Sequence, residues 1–148
     1  MRSLFNPAAA QHVRTRLAVL TPEHQPCWGR MNAKQMLVHV AQQLRMALGE
    51  LRPKPVPAGA IGRWPMKQLV IYVLPWPKGA PTAPELLECD PREWSRDRES
   101  LEELIDRMSR AGPETTFAPH PAFGKLSVRA WGVLSYRHLD HHFRQFGI

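Results

Sequence analysis

Residues 127–148 read SVRAWGVLSYRHLDHHFRQFGI, and how this stretch folds decides the architecture of the chain. Ser127 is a good helix N-cap, and the one helix-weakening residue in the body of the run is Gly132, which costs about 1 kcal/mol against Ala in a helix interior. With successive residues about 100° apart, Trp131, Leu134, His138, His141, His142 and Gln145 fall on one face. That face starts apolar and ends in three imidazoles and an amide. An ordinary core face is not written this way, because a buried imidazole needs partners for both ring nitrogens.

His138 and His142 stand four residues apart, so a helix offers both rings from one side, as two ligands to one transition metal. Histidines near a helix C-terminus also favour the helix dipole, so a third histidine must come from elsewhere before a metal is implied. Asn32 followed by Gln35 is a capping-box signature and starts an earlier helix, which Gly49 closes. On it Met36, His39, Val40, Gln43, Leu44 and Ala47 share a face. Alone, His39 reads as a hydrogen-bonded core histidine. Set against the pair on the last helix of a small bundle, it is also a candidate third ligand beside the core reading, and three histidines from two facing helices would leave metal positions open, as catalytic sites require.

The remaining segments are also helical in pattern. Asn6-Pro7 opens a first helix with Val13, Leu17 and Leu20 as its stripe, ended by Thr21-Pro22. Trp28, in the loop 22–30, reads as a lid on the core, with ligand stacking as the other reading. Pro65 starts a short helix through Leu74. Its apolar run 69–74 also fits a buried strand, but no partner strand is evident, so helix is preferred. The proline-containing connection 75–89 has the length of a segment that covers a site. Asp90-Pro91-Arg92-Glu93 predicts a further helix start, with Trp94, Leu101, Leu104, Ile105 and Met108 inward and Gly112-Pro113 as the stop. In the last connection His120 precedes Pro121 and is held extended, either over the site as a general base or fourth ligand, or in a turn.

The 148 residues suit one domain, 1–148, and a hydrophobic fraction of 43% suits a globular core. The two cysteines, Cys27 and Cys89, form no metal spacing or disulfide framework, and a reducing, cytoplasmic setting is expected. The start of the chain lacks the apolar core of a signal peptide, and the run 69–74 is too short to span a bilayer, so no membrane is expected. The net charge of +7 raises nucleic acid as a partner, but the 20 basic residues are spread along the chain and form no recognised motif. A solvated basic surface is the better reading. Trp64 and Trp76, beside proline-rich loops, suggest exposed apolar surface.

Two groups of residues together resemble a family. Leu20-Thr21-Pro22, Trp28-Gly29-Arg30-Met31-Asn32-Ala33 and Gln35-Met36-Leu37-Val38-His39 resemble the front half of a domain-of-unknown-function branch of the DinB-like superfamily. His120-Pro121-Ala122-Phe123-Gly124-Lys125-Leu126, with the ten residues from His138 to Gly147, resembles its back half. The resemblance spans nearly the whole chain and is weakest in the middle third. It implies an all-α, DinB/YfiT-like four-helix bundle, here with an extra short helix and long Pro-rich loops, and a three-histidine divalent-metal site. One ligand on the second helix matches His39, and two on the last helix at four-residue spacing match His138 and His142. The superfamily commonly ends His-Arg-Gly-Gln, whereas His142 is followed by Phe143-Arg144-Gln145, which leaves His141 as an alternative member of the pair.

The resemblance further implies a metal-dependent enzyme acting on a small molecule, a thiol-dependent transferase or hydrolase with a low-molecular-weight thiol (bacillithiol, mycothiol or glutathione) as co-substrate. Three nitrogen ligands suit Zn, Ni, Fe or Co. His141 and His120 are the candidate catalytic groups, and Gln43 and Gln145, with His141, are candidates to orient what the metal holds. The alternative is a non-catalytic metal-binding or stress-response bundle, which a fourth protein ligand would favour. The resemblance also implies a homodimer, which the apolar surface at Trp64 and Trp76 suits.

Overall fold

The Asn6 carboxamide accepts from the Ala9 N–H, and Pro7 occupies the first turn, where no backbone N–H is needed. The structure, a computed structural model, describes residues 1–79 and 91–148. Among these residues five α-helices follow in order, with no strand: α1 (Pro7–Val19), α2 (Ala33–Ala47), the short α3 (Met66–Tyr72), α4 (Trp94–Ser109) and α5 (Val128–Gln145). The chain is therefore all-α. A 3-10 turn at Gly59–Gly62 precedes α3.

The capping signals act as the sequence predicts in α2 and α5. The Asn32 side chain accepts from Gln35 N at 2.9 Å, while Gln35 Oε1 accepts from Asn32 N at 3.0 Å. Ser127 Oγ accepts from Ala130 N at 3.2 Å. The start of α4 differs from the prediction. Asp90 lies outside the described residues, and the helix begins at Trp94, with Glu93 as its cap, instead of at Pro91. Asp97 in the first turn reaches back and accepts the Arg92 N–H at 3.0 Å, so the chain there is tied to the helix side instead of winding into it.

Packing closes a ring: α1 lies against α4 and α5, and α2 lies against the same two helices. α3 sits outside, against α5. Leu17, Met36, Leu37, Leu44, Met46, Leu101, Ile105, Trp131 and Phe143 are fully buried within one apolar cluster. The buried polar side chains have a different distribution. His39, Gln43, Ser135, His142 and Gln145 all stand on α2 or α5, so the polar interior belongs to the seam between those two helices. The apolar run 69–74 is helical through Tyr72 yet buries only Ile71. Trp64 is 79% exposed, whereas Trp76 is turned inward and half-buried. Among the described residues no helix is long and apolar enough to cross a membrane.

Gly132 has a reason that helix propensity does not contain. The segment before α1 crosses α5 there, with Leu4 N donating to Gly132 O at 3.0 Å. A Cβ at Gly132 would meet the Phe5 ring at 2.6 Å. That ring stacks on Phe117 at 6.0 Å and cannot simply swing away. Gly132→Ala gains about 1 kcal/mol of helix propensity but meets an overpacking penalty of about 1–3 kcal/mol. We expect a net loss of stability in urea unfolding; a more stable Gly132→Ala protein would show that the crossing is looser than described.

Candidate metal centre

His39 faces α5 from the middle of α2, and His138 and His142 face it from successive turns of α5. Each offers one ring nitrogen, and the three nitrogens lie within 4.8 Å of one another. The ring centroids form a nearly equal triangle: 5.0 Å between His39 and His138, 4.7 Å between His39 and His142, and 4.7 Å between His138 and His142. Nitrogens bound to one ion at about 2.1 Å stand roughly 3–3.5 Å apart, so small ring adjustments suffice for the three to share an ion. The three histidines are positioned to hold a metal.

One of the rings has its tautomer fixed by the fold. Gln145 Nε2 donates to the Trp28 carbonyl at 2.7 Å, which leaves Gln145 Oε1 as an acceptor for His142 Nδ1 at 2.8 Å. His142 therefore carries its proton on Nδ1 and presents the Nε2 lone pair. The Trp28 carbonyl is itself delivered by a docked loop, since Cys27 N donates to Gln145 O at 2.7 Å. Gly29 is needed for that approach: its φ is +84°, and a Cβ would stand 2.5 Å from Gln145 Nε2.

Burial keeps the rings neutral. His142 is lowered to about 3, first by desolvation and then by His39. His138 is pushed well below the ordinary value by desolvation, with His142 and His39 adding to it. Two buried side-chain atoms among the described residues have no hydrogen-bond partner, His138 Nδ1 and Gln43 Oε1. Gln43 Nε2 donates to Ser135 Oγ at 3.3 Å, one turn from His39 on α2 and nearly one turn from His138 on α5. Leaving such atoms unpaired costs about 1–3 kcal/mol each. Neutral nitrogen donors with an orphaned ring atom among them fit a divalent cation.

His141 is not one of the converging three. Its ring lies 5.2 Å from that of His142 and between two indoles, Trp28 at 6.0 Å and Trp76 at 6.2 Å. Burial, then Arg144, lowers its pKa. His120 is not one of the converging three, although its charge would act on His138. Its Nδ1 accepts from the N–H groups of Ala122 and Phe123 at 3.1 and 3.3 Å, and its ring stacks on Phe123 and rests against Trp131. Desolvation lowers it to about 4. This is a histidine holding its own turn. Sequence reasoning missed Trp76 as a neighbour of the triad, its ring 6.2 Å from that of His138, and for Trp28 it preferred a core lid to ligand stacking. It also missed Ser135, three residues before His138 and so on the same side of the helix.

The neutral rings make stability depend on pH. Between about pH 6.5 and the folded-state values, about 4 for His120 and about 3 for His142, the unfolded chain binds protons that the folded chain refuses. Stability is full above about pH 6.5 and falls as pH falls, by up to about 1.4 kcal/mol per pH unit for each ring. We expect the urea midpoint of the metal-free protein to drop markedly from about pH 7 to pH 5, before most carboxylates titrate. An unchanged midpoint would mean that these rings take up protons in the folded state.

Residues 7–146 match the family model of the DinB superfamily. No curated protein and no solved structure matches the chain. A match over almost the whole chain, with a helical fold that brings together one histidine of α2 and two of α5, makes this protein a member of the DinB superfamily.

Proposed function

We propose that the protein is a divalent-metal-dependent enzyme in which His39, His138 and His142 hold the ion and a small molecule reacts beside it. The observation that carries this reading is the convergence of three largely buried imidazoles from two facing helices. Among the described residues the group has three members, which leaves room for a non-protein ligand. An ion in such a site acts as a Lewis acid and lowers the pKa of a bound water or thiol towards neutrality. Zn, Ni, Fe and Co all accept this donor set.

The chain's own residues divide the remaining work. Gln145 holds His142 in the donor tautomer and so keeps its lone pair directed inward. His141, kept neutral beside the triad, takes the proton that the nucleophile gives up and returns it to the leaving group. Trp28 and Trp76 flank His141 and restrict water at that side. The low-molecular-weight thiol fits this arrangement as nucleophile, because a thiol needs only a modest pKa shift to ionise near neutral pH.

Elemental analysis of protein made without a polyhistidine tag is expected to give one divalent ion per chain. His142→Ala should lose it, stay helical and melt cooperatively at a lower temperature. The lost ligand contribution is about 3–4 kcal/mol for an ion at several hundred to a thousand times Kd, survivable for an ordinary domain. A largely unfolded His142→Ala chain would favour a structural ion, and full metal retention would make His141 the ligand. Gln145→Leu leaves all three donors in place and is expected to weaken metal binding by about 10–100-fold. Glutathione added to Co2+-loaded protein should produce a sulfur-to-metal charge-transfer band; no band, with hydrolysis of a test ester retained, would assign water as the nucleophile instead.

A further inference from the structure

α3 is fastened in an unusual way for a helix on a bundle. Of its apolar side chains only Ile71 is fully buried, while Leu69 is 38% exposed, and Val73 and Leu74 just beyond it are 66% and 38% exposed. Apolar burial holds it through Ile71, with Tyr72 half-buried against the core. Polar ties do much of the rest. Arg137, on α5 next to His138, donates through Nη1 to the Val70 carbonyl at 3.0 Å and the Ile71 carbonyl at 2.7 Å, and through Nη2 to the Leu74 carbonyl. These are carbonyls at the C-terminal end of α3, where intrahelical donors run out and positive charge is favoured. A second tie comes from Lys67 Nζ, which donates to the Phe123 carbonyl at 3.0 Å.

The same carbonyl that Arg137 grips also holds Trp76. The indole Nε1 donates to Val70 O at 2.9 Å, and the Arg137 guanidinium carbon lies 5.2 Å from the Trp76 ring centre. So placed, the indole stands 6.2 Å from both His138 and His141, ring to ring. On the far side Lys78 Nζ lies 4.6 Å over the Trp28 ring, joining the segment that carries Trp76 to the loop that carries Trp28.

We propose that Arg137 is a positioning residue for the centre: by occupying the end of α3 it sets Trp76 as a wall of the histidine site, and this wall controls how readily the ion and its ligand exchange. The proposal rests on the metal reading of the triad for the second half of that statement, but not for the first. A guanidinium suits the task because it presents several donors in a rigid planar fork, whereas the ammonium of a lysine is a point charge on a flexible stem.

The test uses the full chain labelled with 5-fluorotryptophan, its five 19F lines assigned by single Trp→Phe variants. In the metal-free protein, Arg137→Met is expected to move the Trp76 line and give it a solvent isotope shift, while the Trp131 and Trp94 lines stay. Arg137→Lys, the conservative change, should restore the Trp76 line only partly, and it serves as the working variant if Arg137→Met folds poorly. With one equivalent of Co2+, the parent should show paramagnetic shifts at Trp76 and Trp28. In Arg137→Met the shift at Trp76 should be lost and that at Trp28 kept, and Co2+ should pass to a chelator about tenfold faster. A Trp76 line unmoved by both Arg137 substitutions overturns the positioning role. Parent protein in which Co2+ shifts no tryptophan line overturns the metal reading and the wall with it, while the metal-free spectra still decide whether Arg137 holds Trp76.

Discussion

Three imidazoles stand ring against ring in the seam between α2 and α5, and burial, together with repulsion from the neighbouring rings, disfavours a proton on His138 and on His142. Desolvation is the larger part of that constraint and mutual repulsion the smaller. Neutral rings need a partner for each N–H and leave a lone pair on the other nitrogen. For His142 the N–H partner is Gln145, which must itself be buried, and whose amide must be satisfied by the Trp28 carbonyl. That carbonyl reaches the helix only because residue 29 lacks a side chain. The polar interior is thus a chain of dependencies that starts at the imidazoles and ends in a loop more than a hundred residues away.

The apolar interior is independent of this chain. α4 contributes Leu101, Leu104, Ile105 and Met108 to the core and none of the converging histidines. α1 likewise contributes Ala9, Ala10, Val13 and Leu17. Large apolar side chains of this kind contribute about 1.5–3 kcal/mol each when fully buried. Two helices therefore supply scaffold, and two supply scaffold and site together. Arg16, largely buried, ties α1 to α5 through Asp140 at 2.6 Å and reaches the Ile148 carbonyl at 2.7 Å.

Local signals were the legible ones. The Asn32–Gln35 box, the Asn6-Pro7 start and the mixed face of α5 each depend on residues within a turn or two, and the structure has them where the sequence puts them. Helical period put His138 and His142 on one face of α5 and His39 on the inner face of α2, and the resemblance to the DinB-like superfamily implied that the three meet. Interactions that compete with local preference were not legible. Asp97 captures the Arg92 N–H and delays α4, although Pro91 would suit a helix start. Gly132 reads as a weakness but is a crossing point, which only the distant Phe5 reveals. His120 was open to reading as a site residue because its local alternative, a ring nitrogen accepting from N–H groups two and three residues ahead, is a turn pattern familiar in Asn and Asp but seldom sought in His. Trp76 was out of reach, since its place depends on a contact between α3 and a side chain more than sixty residues later.

Access to the triad follows from how unequally the surrounding elements are held. His39 and His142 are 1% and 8% exposed, so exchange of anything bound between them requires an element to move. Local openings in a folded protein are cheapest where the fewest apolar groups are buried. α5 buries eleven residues and α2 another eleven, and neither can shift without disrupting the core. α3 buries one. Its polar ties, from Arg137 to its carbonyls and from its own Lys67 to the Phe123 carbonyl, exchange against water at a net cost of about 0.5–1.5 kcal/mol apiece, somewhat more for charged donors. Lifting α3 with Trp76 is therefore a far smaller perturbation than loosening either ligand-bearing helix, and it opens the flank of the site at His138 and His141 while leaving all three histidines in place.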